Sequence, residues 1–144
     1  MIKRLIIFFC AIFLFGCSEK QPTIFTGTLI ELTKQGNEFV IVKQCPGLDE
    51  KSIRISDSSL VEVYQMEYSK YAIGQKFGDK DSQFSIWTSG STKNIYTFTW
   101  KDKAKGLILC EELPNGVEPK TVRYMVDSTK ATAFKSVGPF HCND

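Results

Sequence analysis

The sequence predicts an all-β fold, a small antiparallel barrel or sandwich. Three observations carry that expectation. Apolar residues recur with period two through most of the chain after residue 23, clusters of turn-forming residues separate these runs, and helical spacing is confined to one short stretch.

The alternation begins with Thr28, Ile30 and Leu32 against Leu29 and Glu31, and resumes with Phe39, Ile41 and Lys43 against Val40 and Val42. Between them Lys34-Gln35-Gly36-Asn37 has turn chemistry, so residues 24–45 read as a hairpin. Ile53 and Ile55 continue the pattern; Tyr96, Phe98 and Trp100 share one face, with Thr97 and Thr99 on the other. Leu107–Cys110 and Val122–Val126 add two strands, and Thr88–Asn94, Asp102–Gly106, Leu113–Pro119 and Gly138-Pro139 mark turns. The exception is Leu60–Tyr71, where Tyr64, Tyr68 and Tyr71 fall at helical spacing while Val61 and Val63 favour strand. A strand to about Gln65, then a short helical or irregular connection into Ile73–Phe77, reconciles the two.

The N-terminus has a different character. Lys3 and Arg4 precede eleven residues, Leu5 to Phe15, with no charge among them. Two cations before such a stretch mark an export signal. A spanning helix needs roughly 20 apolar residues to cross about 30 Å of hydrocarbon, so this one is too short to span. It ends Leu14-Phe15-Gly16-Cys17, which resembles the bacterial lipobox. The resemblance implies cleavage after Gly16, a diacylglyceryl thioether and an N-palmitoyl chain on Cys17, and, with Ser18 following, sorting to the periplasmic face of the outer membrane. The chain then divides into a signal at 1–16, an acylated cysteine and tether at 17–22, and one β-rich domain at 23–144.

Charge narrows the partners. The chain holds 18 basic and 16 acidic residues; Lys3 and Arg4 leave with the signal, so the exported part carries 16 of each. A nucleic-acid partner requires a basic face, and none is expected. Three cysteines remain besides Cys10 in the leader and the acylated Cys17: Cys45, Cys110 and Cys142. Disulfides persist in an exported protein, and three cysteines give one bridge and one thiol. Cys45 precedes the turn pair Pro46-Gly47, whereas Cys110 ends an apolar run, which favours Cys45–Cys142 over Cys110–Cys142.

The segments Gly27–Val42, Ile53–Val63 and Ile73-Gly74-Gln75-Lys76-Phe77 resemble small OB-like barrels of exported lipoproteins. Catalytic motifs are lacking. The one histidine, His141, sits in the terminal tail, and no nucleophile elbow, zinc pair or phosphate loop occurs. Asp49-Glu50, Asp79, Asp81 and Glu111-Glu112 include lysine-flanked turn acids, so solvated surface explains them better than a glycosidase pair. No cofactor or metal is expected. The aromatics Tyr96 and Trp100, with Trp87, Ser89 and Gly90, are either core or a binding face. Ser89-Gly90 leading to Tyr96–Trp100 and then Lys101-Asp102-Lys103-Ala104 resembles the membrane-bound inhibitors of C-type lysozyme, which are periplasmic lipoproteins.

The expectation is a non-enzymatic, lipid-anchored binding or accessory module with a protein or envelope partner. A lysozyme inhibitor is the alternative among binding proteins, and a carboxylate-based hydrolase the alternative among enzymes. Replacing Cys17 by Ser is expected to abolish acylation and leave the protein uncleaved or soluble; unchanged fatty-acid labelling and detergent partitioning would refute the anchor.

Overall fold

A computed structural model describes residues 22–139 and 142, so the leader, Cys17, Ser18 and His141 lie outside the described residues. The alternating segments form ten strands: β1 Gly27–Gln35, β2 Glu38–Val42, β3 Asp49–Ile55, β4 Ser59–Gln65, β5 Glu67–Gly78, β6 Gln83–Ser89, β7 Ile95–Asp102, β8 Leu107–Leu113, β9 Thr121–Asp127 and β10 Lys135–Val137. From β3 to β9 each strand pairs antiparallel with the next, and β1 pairs with both β3 and β9. The result is a closed, eight-stranded antiparallel barrel. Of the barrel and the sandwich that the sequence left open, the barrel is the one present. The segments that resembled an OB-like half supply β1, β3, β4 and β5 of a ring larger than the five strands of that fold, with β2 outside it.

Eight strands enclose a space that side chains can just fill. Here Leu29, Ile53, Leu60, Phe84, Ile86, Tyr96, Phe98, Ile108, Cys110 and Met125 fill it, all buried in one cluster. Register explains the choice. Phe84 opposes Phe98, Phe98 opposes Cys110, and Ile108 opposes Met125, so one parity of each strand points inward around the ring. Phe84 and Phe98 stack with centroids 4.8 Å apart.

The expected hairpin turns at Gly36, whose φ of 60° suits the first position of a two-residue loop. Beyond Leu32, β1 leaves the ring wall and pairs with β2, and β10 lies parallel to β2. This three-stranded flap packs on the outside of the barrel, where Ile41 and Phe39 meet Leu32, Val126, Tyr124 and Phe134.

The helical or irregular connection expected after Gln65 does not occur. Gln65 takes a left-handed φ of 57°, Tyr64 opposes Glu67, and Val63 opposes Tyr68, so β4 and β5 make a tight hairpin. Tyr64 and Tyr68 then lie on opposite faces of it. The β-branched residues that favoured strand prevail because cross-strand pairing satisfies the backbone of both arms.

Antiparallel neighbours place alternate connections at opposite ends of the barrel. One end, the base, carries the β3–β4, β5–β6 and β7–β8 connections. The segment before β1 closes it: Ile24 is buried in the barrel core, the Lys80 amide donates to the Thr23 carbonyl at 2.8 Å, and Phe25 meets Trp100 edge-on at 6.0 Å. The other end, the rim, carries the β4–β5, β6–β7 and β8–β9 connections.

Cys45 and Cys142 form the disulfide, with Cα atoms 5.6 Å apart and a sequence separation of 97; Cys110 is free and buried. Burial pushes the Cys110 thiol up to about 12, which makes it a small hydrophobe rather than a nucleophile. Replacing Cys45 and Cys142 together by Ser should lower stability by about 2–4 kcal/mol, given the length of the closed loop. Urea unfolding checks this, and an unchanged midpoint would mean that the bridge constrains little.

Candidate functional site at the rim

Inward-facing positions near the rim are polar, unlike those deeper in the barrel. On β4 the parity that buries Leu60 points Glu62 inward, and on β9 the parity that buries Met125 does the same for Arg123. Arg123 Nη2 donates to Glu62 Oε1 at 2.6 Å and to Glu112 Oε2 at 2.8 Å. All three side chains are four-fifths buried or nearly so. Burial opposes the Arg123 charge, but the Glu62 and Glu112 carboxylates outweigh it and hold the guanidinium cationic. Burial first, then the Glu62 charge, raise the Glu112 carboxyl above the usual glutamate range, with Arg123 and the Tyr96 hydroxyl pulling it back. Glu31, Lys51, Glu67 and Tyr64 join Glu62 and Arg123 around a cavity of about 170 Å³. The guanidinium lies between the two carboxylates, where a glycosidase pair leaves room for its substrate.

Asn94 ties this network to the loops above it. Its Nδ2 donates to Tyr96 Oη at 3.3 Å, and its Oδ1 accepts from the Asn115 amide at 3.1 Å. Its own amide donates to Thr88 Oγ1 at 2.8 Å. The β6–β7 loop is thereby pinned to both its strands and to the β8–β9 connection, so the Ser89-Gly90 corner is presented in one fixed place.

Trp87, Ser89 and Gly90 come together here, as the sequence suggested. Trp87 and Ser89 line a groove of about 420 Å³ with Gly74, Gln75, Thr88 and Lys93. Trp87 points outward, is 42% exposed and meets Phe77 at 5.0 Å. Gly74 sits at a β-bulge where a Cβ would come within 3.1 Å of Ser89 Cβ, so the two strands approach closely. Tyr96 and Trp100 do not belong to this face. Tyr96 is wholly buried in the barrel, where desolvation raises its hydroxyl well above the usual tyrosine range. Trp100 packs at the base, its Nε1 donating to the Lys80 carbonyl at 2.7 Å. They share a strand face with Phe98, and that face is the inner one.

The hairpin tip also stands at the rim. Met66 is 72% exposed, Tyr64 and Tyr68 are about half exposed, and Lys51 lies 4.5 Å over the Tyr64 ring. The Tyr68 hydroxyl donates to Asp49. The remaining acids named from the sequence are surface groups: Glu50 pairs with Lys43, Asp81 with Lys103 and Glu111 with Lys120, and Asp79 accepts from the Asp81 amide. Sequence reading missed Glu62, Arg123, Asn94, Gln75 and Lys93. A signal existed for the first two, because each is a charge at the inward parity of an otherwise apolar strand.

No protein-family model matches the chain, and neither a curated protein nor a solved structure shows significant similarity to it. The site is therefore read from its own chemistry.

The Glu112 shift fixes a pH dependence. The folded state binds more protons than the unfolded state between the ordinary glutamate range and the raised one, so stability falls as pH rises through that interval. Arg123→Met removes an influence that holds Glu112 down and leaves two carboxylates without their cation. It should cost about 3 kcal/mol near neutral pH, with part of the loss recovered on acidification towards about pH 4. Urea midpoints against pH measure both, and a pH-independent loss would contradict the triad's electrostatic role.

Proposed function

We propose that this protein is a lipid-anchored envelope binding module that recognises its partner with the rim of the barrel. The observation that carries the reading is the asymmetry of the two ends. Side chains fill the interior, and the segment that leads from the tether plugs the base with Ile24 and Phe25. Recognition then falls to the opposite end, where the β4–β5 hairpin presents Tyr64, Met66 and Tyr68 to solvent and the β6–β7 loop carries the Ser89-Gly90 corner. An anchor at Cys17 would leave only Ser18–Pro22 between lipid and base, and would point the rim away from the membrane. Exposed aromatic and methionine side chains with cations nearby are the composition of protein contact surfaces. Activity by binding rather than turnover fits an ion triad whose carboxylates are both engaged by Arg123.

A second reading, inhibition of C-type lysozyme, is favoured by one observation. The Ser89-Gly90 corner that resembles those inhibitors lies at the rim, and Gly90 adopts a φ of 118° that only glycine takes readily.

One experiment tests both. A photo-reactive phenylalanine at Met66 should cross-link an envelope partner in living cells, and the same residue at Lys105, near the base, should not. Equal yields from the two ends, or none from the rim, would overturn the proposal. A partner identified as lysozyme, with inhibition lost in Gly90→Val, would select the second reading.

A further inference from the structure

We infer that the groove beside the β6–β7 loop binds a carboxylate-bearing saccharide, with Trp87 as the stacking platform and Lys93 as the counter-charge. The inference rests on the reading of the rim as the recognition end and names a ligand class for it.

Trp87 is a wide aromatic ring at an outward position of β6, left 42% open to solvent. It is held there. Phe77 of β5, opposite Ser85 of β6, meets it with centroids 5.0 Å apart and ring planes inclined by 55°, which fixes the orientation of the indole. A pyranose presents one face of C–H bonds, weakly positive, that packs on the negative face of such a ring. Its hydroxyls project from the edge and need donors and acceptors around the platform. Gln75 and Ser89 stand there, and the Gln75 amide makes no side-chain hydrogen bond among the described residues. The Ser89 hydroxyl donates only a long bond, 3.4 Å, to the Ala72 carbonyl, so its lone pairs remain open to a donor.

Lys93 selects the charge. Lys93 lines the groove and has no ion pair among the described residues, so its ammonium is available to a ligand there. An ammonium at the edge of an aromatic platform suits a carboxylate carried on the sugar ring. A peptide strand fits less well, because the lining beyond Trp87 is a glycine, an amide, two hydroxyls and a cation rather than apolar pockets. The volume, about 420 Å³, falls within the range of small-molecule sites and accommodates about two pyranose rings.

Acidic sugars of this kind occur in the cell-wall glycan and in uronic-acid polysaccharides, and the test separates them. The full chain, in a detergent without a sugar headgroup, is titrated with muramic-acid-containing disaccharide, with digalacturonate and with neutral diacetylchitobiose. Binding is read by tryptophan fluorescence and by calorimetry. The acidic disaccharides should bind at least about tenfold more tightly than the neutral one, and whichever acid binds more tightly identifies the source. Trp87→Ala should weaken binding by about tenfold or more, and leave Trp100 emission unresponsive. Lys93→Ala should bring the acidic sugars down to the neutral affinity. An unmoved signal with every saccharide, or full affinity in Trp87→Ala, overturns the proposal. Should sugars fail while the Met66 cross-link persists, the ligand class is wrong and the recognition end stands.

Discussion

Everything in this fold depends on one seam. Leu29 to Leu32 of β1 pair with Tyr124 to Asp127 of β9, and those four registered pairs convert a meander of strands into a ring. Without the seam, β3 to β9 would be an open sheet with two unsatisfied edges and an apolar face wide open to water. With it, Leu29 and Met125 become neighbours across the junction and complete the inner cluster. The flap of β2 and β10 covers the same seam from outside, burying Val126 and Leu32 beneath Ile41 and Phe39. The seam is therefore packed on both faces, which most of the ring is not.

The rim shows what a filled barrel does with its end. Apolar layers cannot continue to the opening, because side chains there meet water. The inward positions change to Glu62, Glu112 and Arg123, whose charges satisfy one another, and Arg123 Nε alone is left buried without a hydrogen bond among the described residues. Buried ion pairs of this sort rarely add stability over a well-packed apolar layer. What they provide is a fixed frame. Asn94 extends the frame into two loops, so the rim is held by polar bonds where the rest of the barrel is held by packing.

Much of this fold was legible in the residues. Period-two alternation located β1, β2, β3, β7, β8 and β9, and turn chemistry located most of the connections. The strand expected up to about Gln65 is β4, but the residues after it were misread because three tyrosines fell at helical spacing while the hairpin turn at Gln65-Met66 lacks the glycine or asparagine that usually announces one. The site was legible in part. Trp87, Ser89 and Gly90 lie close in sequence and remain close in space. Tyr96 and Trp100 were ambiguous because alternation gives a face without saying whether that face is the inner one. Glu62 and Arg123 are 61 positions apart, and only the closed ring brings them together.

The plug at the base also decides how the molecule bears load. A pull on the N-terminus reaches Thr23, Ile24 and Phe25 before it reaches β1, since these residues are held by one backbone bond to Lys80, by burial of Ile24 and by the edge of Trp100. Drawing two apolar side chains out of the base costs about 3–6 kcal/mol, far less than parting a strand paired along both edges. Under tension the segment would slip free first and pay out a few residues of slack, while the seam between β1 and β9 stayed shut. The base thus works as a mechanical fuse, giving way before the barrel can be torn open.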